Sequence, residues 1–126
     1  MAHFAEVKKE NNVWIVQRVL VVPDDQEHRG QEYLSVDVAL GGIWIKTSYN
    51  TFQNTHLNGG TPLRGNYAGI GMIYNPQKDL FYADKPYPSW VWSDEKANFM
   101  PPVSMPTDGL GYIWNEEIED WTIWSE

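Results

Sequence analysis

The chain has 126 residues and a mass of 14.6 kDa, enough for one compact domain and too little for two ordinary ones. Its 42% apolar and 21% charged residues are close to the globular average, which argues against disorder and fibrous repeats, and its longest apolar runs, Val19 to Val22 among them, are far short of the roughly 20 residues of a membrane-spanning helix. With no cysteine, disulfides, thiolate nucleophiles and cysteine-ligated metal sites are excluded together, and nine basic against seventeen acidic side chains leave a net charge of −8, which disfavours nucleic acid as a partner.

In chain order, the first predicted element is a β-hairpin: a strand from His3 to Val7, a polar turn from Lys8 to Asn12, and a second strand from Val13 to Val22. The second strand is rich in β-branched residues and apolar on both alternating faces, as in a central strand covered on both sides. Pro23-Asp24-Asp25 ends it. Gln31 to Leu40 places Tyr33, Leu34, Val38 and Leu40 near one helical stripe, with Gly41-Gly42 as a stop signal. This is read as a short helix, although the β-branched Val36 and Val38 leave a strand open. Ile43 to Tyr49 alternates as a strand does. Residues 50–68 have no sustained period and are read as a long loop, a length that in a small domain is usually functional or packed on something else. The run Gly65-Asn66-Tyr67-Ala68-Gly69-Ile70-Gly71 lacks the preceding strand and following helix of a dinucleotide fingerprint, so its glycines are assigned to backbone geometry.

Residues 69–126 repeat. Ile73-Tyr74-Asn75, Val91-Trp92-Ser93 and Ile113-Trp114-Asn115 each join a β-branched residue, an aromatic and a small polar residue, and each aromatic has a second one seven positions on: Tyr74 with Phe81, Trp92 with Phe99, Trp114 with Trp121. Six mostly polar residues separate the members of a pair, as in a hairpin whose two rings meet across the ladder. Three short hairpins follow, joined by the proline-containing linkers Lys85 to Ser89 and Met100 to Pro106, which should prevent them from merging into one broad sheet. Charge follows the aromatics. From residue 94 onward eight acidic residues face Lys96 alone, which puts −7 of the −8 in the last 33 residues.

Catalytic patterns are thin. His3, His28 and His56 lack ligand spacing, there is no nucleophile-elbow motif, and Glu116, Glu117, Glu119 and Asp120 lie in an expected hairpin turn, where a solvated charged turn is the simpler reading than a carboxylate pair or a cation site. The chain is therefore read as non-enzymatic, with no cofactor and no metal. The aromatics are either sugar-stacking platforms or the core and interface anchors of hairpins too small to bury enough aliphatic surface, and the second reading is preferred. The interface candidates are Tyr74, Phe81, Trp90, Trp92, Phe99, Trp114, Trp121 and Trp124, with Arg64 and Tyr67 from the loop region.

The opening MAHFAEV, the central run GGIWIKTSYNTFQNTHLNGGTPLRGNYAGIGMIYN, the linker PYPSWVW and the ending PPVSMPTDGLGYIWNEE resemble short virion structural proteins of marine tailed bacteriophages, above all cyanophages. The resemblance covers nearly the whole chain and is most specific from Trp44 to Asn75. It departs from the group's pattern at Met72-Ile73 and at Tyr82-Ala83-Asp84, neither of which breaks the frame of the repeats. It implies a virion protein, made in the bacterial cytoplasm, that sits on the exterior of the head or on the tail and binds other capsid or tail proteins. It brings no catalytic residues.

The combined expectation is a mainly β single domain over 1–126: an N-terminal hairpin, short helix and strand (1–49), a long loop (50–68) and three aromatic hairpins (69–126). Its expected partners are other virion proteins, with self-association also open, and neither nucleic acid nor membrane is expected. The alternative is a carbohydrate-binding adhesion module whose exposed Trp and Tyr rings recognise host-surface glycans.

Overall fold

A long N-terminal hairpin organises the molecule, which is described from residue 2 to residue 124 in a computed structural model. Strand β1 (Ala2–Glu10) pairs antiparallel with β2 (Val13–Val22). The turn between them has only two residues, Asn11 and Asn12, both with positive φ (50° and 66°). Asparagine tolerates this left-handed region, so Lys8, Lys9 and Glu10, expected in the turn, continue the strand instead.

Between Glu6 and Val7 the register slips, so that Glu6 faces Arg18 while Val7 faces Val16, leaving Gln17 as the extra residue of a β-bulge. The bulge resets the alternation of β2. Leu20 and Val22 lie on one face with Ala2 and Phe4, whereas Trp14, Val16 and Val19 join Ala5 and Val7 on the other. Each face carries its own core, as expected for a central strand covered on both sides.

The first core is roofed by a helical segment: a 3-10 stretch Asp24–Arg29, a single α-turn Gly30–Glu32 and a π-turn Tyr33–Asp37. Gly30 lies directly on the Phe4 ring, where an added Cβ would come within 2.2 Å of Phe4 Cζ. Leu34 is buried and Tyr33 packs beside it. The helix thus begins and ends earlier than the expected 31–40: Ala39, Gly41 and Gly42 all have positive φ and carry the chain away. Val38 and Leu40, expected on its buried stripe, fall past its end and are exposed.

β3 (Ile43–Thr47) pairs antiparallel with β1 and forms one edge of the sheet. The free side of this edge is occupied by side chains. Gln31 Oε1 accepts from the Trp44 N–H while its Nε2 donates to Gly42 C=O (3.0 Å), and Arg64 Nη1 donates to Lys46 C=O (3.0 Å).

The 50–68 region, expected as a loop, contains a two-residue ladder between β4 (Thr51–Phe52) and β5 (Thr55–His56). Gln53 and Asn54, both with positive φ, make its turn. Two buried threonines fix the return path: Thr51 Oγ1 accepts from the Leu63 N–H (3.1 Å) and Thr47 Oγ1 from the Ala68 N–H (2.9 Å).

The three aromatic hairpins are present: β6 (Ile73–Asn75) with β7 (Leu80–Tyr82), β8 (Val91–Ser93) with β9 (Asn98–Met100), and β10 (Tyr112–Asn115) with β11 (Asp120–Ile123). The second and third are separate two-stranded sheets. The first is not. It joins the N-terminal sheet through Trp14 opposite Tyr74 and Ile15 opposite Ile73, giving the order β3-β1-β2-β6-β7. The cause is the approach to β6, where Val16 N–H donates to Met72 C=O (2.8 Å) and Gly71 N–H to Val16 C=O (2.9 Å). These contacts seat Phe81, fully buried, in the second core. Among the described residues, no helix is long and apolar enough to cross a membrane.

Candidate functional site

In all three hairpins the aromatics seven apart are direct cross-strand partners: Tyr74 with Phe81, Trp92 with Phe99, Trp114 with Trp121. Their ring centroids lie 5.0, 5.3 and 5.2 Å apart, the last two edge to face at 74°, within the favoured range for aromatic pairs. The turns are equally regular. The residue two before the second aromatic (Asp79, Ala97, Glu119) has φ between 50° and 56° in each case. The small polar residue after the first aromatic caps its turn: Asn75 Oδ1 accepts from Gln77 and Lys78 N–H, Ser93 Oγ from Lys96 N–H, and Asn115 Oδ1 from Glu117 N–H.

Each hairpin also has an acidic residue that accepts a hydrogen bond from the polar atom of its first aromatic. Tyr74 Oη donates to Asp79, Trp92 Nε1 to Asp94 Oδ1 (2.7 Å) and Trp114 Nε1 to Glu116 Oε1 (2.9 Å). Hydrogen bonds from Trp92 and then Lys78 hold the Asp94 carboxyl below its ordinary value, and those from Ser89 and then Trp114 do the same for Glu116. Burial pulls the Asp79 carboxyl upward, but the bonds from Tyr74 and Arg64 outweigh it and the net direction is down. Glu116, expected in a merely solvated turn, is thus engaged. It also accepts from Ser89 N–H (3.1 Å) and Ser89 Oγ (2.6 Å), tying the third hairpin to the linker.

The hairpins meet through their rings. Tyr82, on the opposite face of the first hairpin from Phe81, lies 5.0 Å from Trp92 and 6.1 Å from Phe99. Two lysines flank this junction: Lys78 Nζ is 4.8 Å above the Trp92 ring and 3.3 Å from Asp94 Oδ1, and Lys85 Nζ is 5.5 Å above Phe99. Trp90 then covers the third pair, 6.0 Å from Trp114 and 6.4 Å from Trp121, with Tyr87 at 5.9 Å on it. The Trp121 indole donates to Val103 C=O (2.7 Å) in the proline-rich segment, whereas the Trp90 indole N–H is buried without a partner.

Asn66 fastens the array to the body. Its buried amide (3% exposed) donates to Phe81 C=O (2.8 Å) and Ala97 C=O (2.9 Å) and accepts from Gln53 N–H and Asn98 Nδ2 (both 2.9 Å). All four of its hydrogen-bonding positions are filled. Gly65 beside it, at φ 77°, would place a Cβ 2.9 Å from Ala97 Cβ.

The expected interface residues therefore separate into groups. Tyr74, Phe81 and Trp114 serve the interior, with Trp114 only 6% exposed. Trp90, Trp92, Phe99 and Trp121 are partly buried and form the junctions, and Trp124 is exposed. Arg64 is used within the chain, on Lys46 C=O and Asp79 Oδ1 (2.8 Å). Tyr67 is exposed and contacts His3 edge-on at 5.7 Å, away from the hairpin rings that pair with one another. Sequence reasoning missed Asn66, Tyr82 and the carboxylate acceptors. Only the acceptors left a signal, the acidic residue two places after Trp92 and Trp114.

An apolar groove of about 360 Å³ runs between β4, the second hairpin and the third, lined by Phe52, Trp90, Phe99, Met100, Met105 and Trp121 among others. No group of three or more His, Asp and Glu that could hold a metal occurs among the described residues. Compared with family models, curated proteins and solved structures, the chain matches none of them.

Proposed function

We propose that this chain is a non-enzymatic structural protein of a phage virion, an exterior accessory component on the head or the tail that binds other virion proteins. The virion setting rests on the sequence resemblance. The observation that carries the interface reading is the third hairpin and its approach, where Leu110, Ile113, Ile118, Ile123 and Trp124 are all exposed in the most acidic part of the chain. Two-stranded hairpins are marginal alone, and apolar side chains clustered on one at the surface fit a partner. Immunogold labelling of purified particles tests the reading: label on intact heads or tails is expected, and its absence from particles excludes the assignment.

A second reading, glycan adhesion, is favoured by the groove, where the rings of Phe52, Trp90, Phe99 and Trp121 share one wall system. Saturable sugar binding on a glycan array, lost on Phe52→Ala or Trp121→Ala, would replace the structural reading. No saturable binding is expected.

A further inference from the structure

We propose that the outer face of the third hairpin docks a protein segment that presents an aromatic or branched aliphatic side chain flanked by lysines or arginines. This rests on the interface reading above and deepens it by assigning a surface and the chemistry of its partner.

The faces of the three hairpins are not equally covered. Both faces of the first hairpin are occupied, one by the second core and the other by the Tyr82 junction. The second hairpin takes Tyr82 on its Trp92/Phe99 face, while Asn98 and Met100 on its other face meet Asn66 and Gln53. The third hairpin receives Trp90 on its Trp114/Trp121 face. Its other face carries Ile113 opposite Thr122, extended by Trp124, whose N–H donates to Gly111 C=O (2.9 Å) and so prolongs the ladder. Ile113 is 50% and Trp124 59% exposed. Among the described residues this face is thus apolar and exposed, whereas both faces of the first two hairpins are occupied, and exposed apolar surface of this kind fits a partner.

Charge sets the sign of the partner. At its turn end Asp120 lies on the same face and Glu117 and Glu119 stand in the adjoining turn, all exposed, in a region that is −7 from residue 94 onward. A second copy of this face would bring its own acidic turn and be repelled. The chain also holds a template for such a contact. At the Tyr82 junction between the first and second hairpins a tyrosine lies against two rings while Lys78 reaches both a ring face and Asp94, and Lys85 covers the other ring. The third hairpin's outer face has the apolar centre and the carboxylates of such a junction, but no lysine.

The test is binding of the purified full chain to particles lacking it, measured by cosedimentation. Ile113→Glu and Trp124→Glu should each weaken binding about ten-fold or more, with an unchanged thermal unfolding curve. Raising salt from about 50 to about 500 mM, or making Glu117→Lys/Asp120→Lys, should weaken it several-fold, because the contact includes charge pairs. Val36→Glu, on the exposed helical segment, is the control and should bind as wild type. Wild-type binding with all variants equal to it overturns this surface assignment and leaves the interface reading standing. No binding by wild type overturns both. Self-association abolished by Ile113→Glu, or binding competed by a simple saccharide, replaces the basic partner with a second copy or a glycan and overturns the proposal.

Discussion

Asn66 concentrates more of the architecture than any apolar side chain does. Its amide is the common partner of the β4–β5 turn and of the first two aromatic hairpins, three pieces far apart in the chain. Asn66→Leu keeps the volume but strands Phe81 C=O, Ala97 C=O and Gln53 N–H inside the protein, and should cost about 3 kcal/mol, since each orphaned buried group costs about 1–3 kcal/mol before relaxation. Urea unfolding checks this, and a loss below about 1 kcal/mol would mean that water replaces the amide at little cost. Gly65→Ala should destabilise by about 2 kcal/mol, because it adds a clash with Ala97 to a left-handed backbone. Neither residue stands out in a sequence already rich in Asn and Gly between 50 and 68. One buried Asn with four partners and one exposed Asn in a turn are the same letter, and only long-range packing separates them.

At the scale of elements, the hairpins were legible because their information is local: a period of two, a fixed seven-residue separation and turn-forming residues between. The helix boundary was not. Its segment mixes 3-10, α and π turns without a side-chain N-cap, and it is positioned by Gly30 on Phe4 and by Gln31 on β3. The carboxylates that hold the first aromatics yield a pH dependence. Asp79, Asp94 and Glu116 are held below their ordinary values of 3.8, 3.8 and 4.5, so they bind protons more weakly folded than unfolded. Their contribution is complete above the unfolded values and fades as pH falls through the folded ones. Tryptophan near-UV dichroism should therefore be constant from neutral pH to about pH 5 and decline below about pH 4. In Glu116→Gln, which does not titrate, the share of this decline from the third hairpin should vanish. A profile identical to wild type would show that the Ser89–Glu116–Trp114 link does not hold the hairpin.

For the whole molecule, stability should grade from one end to the other. The five-stranded sheet has a core on each face, whereas the last two hairpins hold on through rings and side-chain hydrogen bonds. Amide hydrogen exchange should be slowest in β1 and β2 and fastest in β10 and β11. A chain ending at Pro88 should keep the sheet, which lies entirely before that residue, although it loses the bonds from Asn66 to Ala97 and Asn98. Loss of cooperative unfolding in that fragment would show that the hairpins are part of the sheet's own stability. What the sequence left out at this scale is that the first aromatic hairpin belongs to the sheet and not to the array. The joining contacts, Val16 with Gly71 and Met72, span more than fifty residues and have no local signature.

The side chains along β3 bear on how the folded chain avoids pairing with further copies of itself. An open strand edge is a template on which further chains polymerise, and crowded synthesis favours that misassembly. Gln31 and Arg64 occupy that template at Trp44 and Lys46. Gln31→Ala should leave the monomer folded yet shorten the lag before thioflavin-positive fibrils form on prolonged incubation, whereas an unchanged lag would locate the protection elsewhere. With the lag shortened, two polar side chains would stand as gatekeepers against amyloid.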